Sequence, residues 1–445
     1  MIYCLCNVLP LSLKLFLIDG FTYMVNRSLW RSLRHRNYRL YLSGQLVSVC
    51  GTWMQQVALS WLIYRLTGSA TLLGVVGFAS QIPVFVLGPV GGVISDRYSC
   101  HRVAVWTQCA ALSQALLLAL LTLTGWIQPL QIIFLGVALG LVYAFDMPAR
   151  QALVHQMVEG EDLANAVALN SSMINAARIV GPSLAGLVVA EFGEGVCFLI
   201  NAVSYIAVIV ALWAMKLPEQ KRATTAPVSI ANSLIEGGRY TLATTPIRDV
   251  LLLLGVVGFM GMPYMTLMPV FATNTHKSGA DALGLMFGAV GTGALIGALF
   301  LAQRKTIVGI GRVIVVATVG FGFGLILFTL TQLFWLSLLL LVVVGCGWMV
   351  LIAAANTALQ TLADDHMRGR VMSLFSMMIV GMAPFGSLLA GWSADQVGAP
   401  IVVAVGGGVC AIAGMFFARQ LPRLREAARP ILLARGIIMD PTTGD

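Results

Sequence analysis

The chain has 445 residues, of which 58% are hydrophobic and only 10% charged, against about 25% charged in soluble domains; it cannot solvate itself as a globular protein and reads as an integral membrane protein. The net charge of +9 sits in short basic clusters between apolar spans, with no aromatic-studded basic face, which argues against nucleic acid and marks loops on one side of a bilayer. There is no phosphate-binding glycine loop, no nucleophile or zinc motif and no metal-spaced cluster of His, Cys or acid, so no enzyme chemistry, metal or cofactor is expected.

Residues 1–39 form a segment expected on the cytoplasmic side. Within it, Val8 to Ile18 is apolar enough for a signal core, but no Lys or Arg precedes it, so residues 1–23 read either as a leader or as a start placed before Met24. About twelve apolar spans follow, each long enough for a hydrocarbon core of ~30 Å. The first six are Leu40–Leu66, Thr71–Ile94, Val103–Thr124, Leu130–Met147, Ala164–Ala190 and Val196–Met215, forming an N-terminal bundle over 40–216. The second six are Val250–Phe271, Ala282–Ala302, Val313–Thr331, Leu333–Ala355, Val371–Trp392 and Ala399–Phe417, forming a C-terminal bundle over 250–420. Between them lies a polar linker, 217–249, in which the spacing of Ile230, Leu234 and Tyr240 predicts a helix on the membrane surface. A basic tail occupies 421–445.

Loop charge orients these spans. Arg27, Arg31, Arg34, Arg36, Arg39, Arg97, Arg102, Arg150, Lys216, Lys221, Arg222, Arg239, Arg248, Arg304, Lys305, Arg312, Arg368, Arg370 and the basic tail fall on one side, and only Arg65 and Lys277 on the other. The positive-inside rule then places both termini in the cytoplasm. The two halves echo each other weakly: Gly92 and Gly297 share the spacing of Gly186 and Gly391. Such a repeat is typical of transporters whose substrate site lies between the halves at mid-membrane. Glycines four apart, Gly284/Gly288 and Gly293/Gly297, offer faces on which backbones approach closely. Gly181-Pro182 and Pro384 are expected to break the fifth and eleventh spans in matching places.

Arg178 is the charged residue deepest in a span, and such a group faces protein or water and marks a site. Ser171 and Asn175 lie on its helix face at a spacing of i, i+4, i+7. Arg178 either bonds backbone carbonyls or Asp146, or anchors an anionic or carbonyl-rich substrate. Further polar candidates inside spans are Gln55, Gln56, Gln81 and Asn356, with Tyr264 among methionines around Pro263. The acids Asp146, Glu191 and Asp395 all read as lying near helix ends, so no proton carrier is visible.

The stretch GGVISDRYSCHR, Gly91 to Arg102, ends the second span abruptly in charge. It resembles the G-x-L-a-D-R-x-x-x-R/K loop of the major facilitator superfamily. "NAVALNSSMINAARIVGPSLAG" and "RGRVMSL" resemble the superfamily's transmembrane secretion effector branch, which includes enterobactin exporters and macrolide efflux proteins. The resemblance covers about Asn26 to Leu421 and departs at Cys100-His101, where basic residues are usual. It implies an all-α fold of twelve transmembrane helices in two pseudo-symmetric six-helix bundles. It also implies export of a small organic molecule (a siderophore, a macrolide-like drug or an amphipathic metabolite) by a monomer in the cell membrane, coupled to protons as an antiporter. A latch that shuts the cytoplasmic side is expected from Gly92, Asp96, Arg97, Arg102, Arg368 and Arg370. Asp146 is expected to pair with Arg97 or Arg102, and Asp96 to face the positive end of the eleventh span. Two other readings remain open: an importer of an anionic small molecule, with Arg178 capturing it, and a non-transporting membrane sensor or assembly partner.

Overall fold

A computed structural model describes residues 31–158, 160, 162–216, 230–304 and 306–435, with the side chains of Asp96, residues 230–234 and Ala434 outside that description. Residues 1–23, Arg27, Lys221, Arg222, Lys305 and the tail 436–445 therefore lie outside the described residues, as do the side chains of Ile230 and Leu234, whose spacing predicts the surface helix. Among those described, every regular element is helical, and twelve helices are long and apolar enough to span a membrane.

The first six are α1 (Arg36–Thr67), α2 (Ala70–Arg97), α3 (Cys100–Leu123), α4 (Pro129–Met157), α5 (Asp162–Phe192) and α6 (Glu194–Ala214). A shorter helix, α7 (Ile230–Ala243), precedes six more: α8 (Thr245–Thr266), α9 (Ala280–Ala302), α10 (Ile310–Leu330), α11 (Phe334–Leu362), α12 (Arg368–Val397) and α13 (Ala399–Ala434). Local chemistry sets the ends. Gly68 takes φ +62° and its N–H reaches Tyr64 O, closing α1, and the Ser69 side chain then accepts from Leu72 N to open α2. The linker helix α7 docks on the start of α12, where Arg370 Nη1 donates to Glu236 Oε1 at 2.8 Å. The Tyr240 hydroxyl accepts from Asp364 N at 3.1 Å.

Several helices run further than the hydropathy suggests. The expected fourth span ends at Met147, but α4 continues through Pro148 to Met157. The last helix passes Pro422 and Pro430 as far as Ala434. The matching breaks expected at the two prolines are one-sided. α5 is unbroken through Gly181-Pro182, whereas α12 turns to π-helix over Met377–Gly381 just before Pro384. α8 carries a facing π turn over Val257–Gly261, and Met378 packs on Gly255 and Gly258. A π turn absorbs the hydrogen bond that a nearby proline removes.

The two groups of six meet along two helix pairs, α2 with α12 and α5 with α9. Glycine permits both approaches. A Cβ on Gly284 would stand 2.8 Å from Gly186 Cα, and Gly74 and Gly391 face each other in the same way. These contacts lie at the end of the bundle far from Arg31 and Arg435, the far face. There the Asp395 carboxylate accepts from Ser69 Oγ, Ala70 N and Thr71 N at 2.8–2.9 Å. Asn274 Nδ2 donates to the Tyr64 hydroxyl at 3.0 Å. Toward the terminal face the halves part. Gly88 and Gly92 on α2 look into open space, Val86 and Val90 are 59% and 42% exposed, and no hydrogen bond or ion pair among the described residues crosses there. The protein is shut on the far face and open on the terminal face.

Candidate functional site

Arg178 stands at the apex of this cleft. It lies roughly 24 Å along α5 at ~1.5 Å per residue. From Arg178 onward α5 packs on α9: a Cβ on Gly291 would meet Arg178 O and Ile179 Cα, and one on Gly288 the Ser183 hydroxyl. Before Arg178, α5 is open, with Val167, Ser171, Ser172 and Ala176 exposed. The guanidinium therefore sits where the closed seam ends and the cavity begins.

Its surroundings leave the charge available. The Arg178 guanidinium lies 5.5 Å from the centroid of the Trp53 ring, a cation–π arrangement. Its buried Nε has no hydrogen-bond partner, and no carboxylate pairs with it among the described residues. Tyr264 of α8 is in electrostatic reach, is 1% exposed, and carries a buried hydroxyl without a partner. Two unsatisfied donors from opposite halves thus lie within electrostatic reach of each other, an arrangement that suits a ligand rich in carboxylate or carbonyl oxygen. Neither alternative partner expected for Arg178 is observed, since no hydrogen bond to a carbonyl forms and Asp146 is engaged elsewhere.

Other sequence candidates divide between the cleft and the interior. Asn175 Nδ2 donates to Ser171 O, and the exposed Ser171 hydroxyl to Val167 O, so both line α5 below Arg178. Gln56 is exposed and lines a cavity of about 380 Å³ within the first six helices. Asn356 on α11 accepts from Gln360 at 2.9 Å, and Gln81 is half-buried on α2. Gln55 is corrected: it is 2% exposed and bonded to Gln114 and Asn201 at 3.1 and 2.7 Å. It braces α1 against α3 and α6 and does not face the cleft.

Asp146 is corrected as well. It lies inside α4, eleven residues from the helix end at Met157, and is fully buried. Its partner is Arg150, one turn on, with Nη2 at 2.6 Å from Oδ2, and neither Arg97 nor Arg102. Oδ1 accepts from Thr107 Oγ1 at 2.8 Å and Gln108 Nε2 at 2.9 Å. Arg150 Nη1 also donates to Gln45 Oε1 at 2.7 Å. Arg150, Gln108, Tyr41 and Tyr143 line the same 380 Å³ cavity, together with Asn170 and Met173 of α5. A buried ion pair of this kind costs several kcal/mol of desolvation per ion, and in a membrane span it marks function. The hydropathy reading missed Arg150, although an acid and a base at i, i+4 in an apolar run are visible in sequence.

The expected latch is not assembled here. Arg97 and Arg102 are exposed, Arg368 pairs with Asp365 and Arg370 with Glu236, all within their own half, and the Asp96 side chain lies outside the description. Cys100 and His101, where the loop departs from the superfamily pattern, are structural. Cys100 Sγ donates to Ser95 O, and the His101 ring bonds Leu212 O at 2.8 Å, fastening α3 to α6.

The sequence matches the family described as transmembrane secretion effector over residues 27–433. It is 25% identical to the staphyloferrin A transporter of Staphylococcus aureus, over 81% of this chain and 90% of that protein. It is 26% identical to the enterobactin exporter EntS of Citrobacter koseri, over 92% and 97%. With the multidrug efflux pump Tap of Mycolicibacterium fortuitum it shares 25% identity over 81% and 89%. Among solved structures, a peptide transporter POT superposes with a TM-score of 0.70 at 13% identity, covering 88% of this chain and 95% of that one. A bacterial homologue of the lysosomal transporter Spinster, in an inward-facing and unoccupied conformation, gives 0.64 at 11%, covering 91% and 99%. These likenesses are to the fold.

Proposed function

Because the chain belongs to the transmembrane secretion effector family of the major facilitator superfamily, we propose that it exports a small oxygen-rich organic anion from the cytoplasm by alternating access. The observation that carries this reading is Arg178, an unneutralised guanidinium at the cleft apex beside the unpartnered Tyr264 hydroxyl. Siderophores and carbonyl-rich drugs have the acceptor groups this pair lacks. Relatives named as a staphyloferrin A transporter, an enterobactin exporter and a multidrug efflux pump support export of such compounds. The terminal face carries the basic loops, so it is assigned to the cytoplasm, with both termini inside and the described state facing inward. The protein works as a monomer in the cell membrane.

Asp146 is the proton carrier in this scheme. A proton taken up by Asp146 breaks its ion pair with Arg150 and frees the guanidinium, which lines the 380 Å³ cavity. Cargo anion and carboxylate then compete for positive charge on the first six helices, which links proton and cargo movement. Asp96 with Arg97, Arg102, Arg368 and Arg370 closes the cytoplasmic side in the opposite state, across the gap now seen beside Gly92.

The deciding experiment uses everted vesicles. With a siderophore and macrolide panel, the wild type accumulates cargo when a proton gradient is imposed, and Arg178→Ala does not. Equal accumulation of every transported compound by Arg178→Ala would refute the anchor.

A further inference from the structure

A second cavity, of about 510 Å³, lies on the terminal face beneath the last turns of α13. Its interior is apolar, lined by Val250 of α8, Ile314 of α10, Leu362 of α11 and Phe417, Leu421 and Leu424 of α13. Every lining residue belongs to the second six-helix group, so this hollow neither opens nor closes with the seam between the halves. Its rim is basic. Arg312, in the first turn of α10, and Arg425 and Arg429, one turn apart on α13, all line it and are exposed. None of the three pairs with a carboxylate or a hydrogen-bond acceptor among the described residues. The one acid on the rim, Glu426, is likewise unpaired, leaving the rim net positive.

We propose that this hollow is a binding site for an anionic phospholipid, with an acyl chain among the apolar residues and the phosphate against Arg312, Arg425 and Arg429. The geometry places the parts at the right depth. Val250 and Ile314 stand just inside the membrane-spanning ends of α8 and α10, and the arginines stand at the boundary. Leu421, Leu424, Ala428 and Leu432 recur on one face of α13 toward the hollow, which holds that amphipathic extension against the bundle. Basic pockets between transmembrane helices bind anionic headgroups, each arginine contributing about fivefold in affinity. The apolar interior disfavours a free anion, the exposed guanidiniums disfavour a neutral lipid, and a volume of this size accommodates small amphiphiles, whose sites span about 300–1,000 Å³. The site is independent of the cargo and of the direction of transport.

Native mass spectrometry of the purified full-length protein tests it, by titration with phosphatidylglycerol and phosphatidylcholine of the same chain length. The wild type retains phosphatidylglycerol on the order of 100-fold more tightly, three arginines each contributing about fivefold. The R312Q/R425Q/R429Q variant loses that preference. Ala428→Trp, which fills the hollow and keeps the arginines, loses retention of both lipids. Thermal melting in detergent checks that each variant is folded, and either variant alone decides the matter. A triple variant that keeps the preference, an Ala428→Trp protein that binds as the wild type does, or displacement of the lipid by inorganic phosphate at equal concentration would each overturn the proposal.

Discussion

The Asp395 carboxylate, near the end of α12, accepts the backbone N–H of Ala70, the first residue of α2, at 2.8 Å. It accepts Thr71 N and the Ser69 hydroxyl as well, so a residue of one half caps a helix of the other. The donors are otherwise orphaned at the positive end of α2. This cap and the glycine seam together hold the far face shut.

Replacing Asp395 with Ala is expected to open that face. Hydrogen bonds to a charged group are worth ~1.5–3 kcal/mol, reduced here because the carboxylate is exposed, so the equilibrium shifts on the order of tenfold. Spin labels at Leu130 and Leu333, both exposed on the far face in opposite halves, report it as a longer distance population. An unchanged distribution would show that the glycine seam suffices alone.

Glycine substitutions separate the two conformations. A Cβ at Gly284 would meet Pro182 O at 2.6 Å and Gly186 Cα at 2.8 Å, so Gly284→Val wedges the far face apart at a cost of about 1–3 kcal/mol. Gly92 has no neighbour within 4 Å in this state. Gly92→Val therefore leaves the described state intact and penalises the state closed on the terminal face. The same label pair should lengthen for the first variant and stay at its short distance for the second.

Asp146→Asn is expected to uncouple transport. The variant keeps the Thr107 bond and removes the charge facing Arg150. Uptake driven by an imposed pH gradient in everted vesicles is expected to fall by ~10²-fold, the scale of losing a positioned proton-transfer group. Cargo exchange at equal pH persists. Loss of both activities would point instead to a structural role, since breaking a buried pair costs about 3–5 kcal/mol.

Gln55→Leu provides the contrast with Arg178. It leaves Asn201 and Gln114 without their partner, so thermal stability should drop by about 1–3 kcal/mol while cargo affinity in the folded fraction is unchanged. A change in affinity would return Gln55 to the binding site.

The fold was legible because apolar length alone specifies spans, and Arg178 because a lone charge in such a span stands out. What could not be read was where contacts cease. Nothing local in α5 says that it touches α9 from Arg178 onward and not before. Asp146 was misplaced because Pro148 and Arg150 look like a boundary, whereas a membrane helix tolerates a proline whose freed carbonyl is satisfied by neighbours. Gln55 and Gln56 look equivalent in sequence, yet adjacent helix positions point about 100° apart, one into a network and one to the cavity. Asp395 reaches Ala70 across 325 residues, a pairing no window on the sequence contains.

The π turns at Val257–Gly261 and Met377–Gly381 pack on each other within the second six-helix group, and the described helices of the first group have none. π turns are rare single-turn insertions in α-helices, frequent at functional sites, and sharp kinks occur at them. The first half is therefore expected to move as a solid body, and the second to flex within itself. Backbone amides at these two turns should exchange with deuterium faster than their equivalents in α2 and α5, and cargo that fixes one helical register should slow them together.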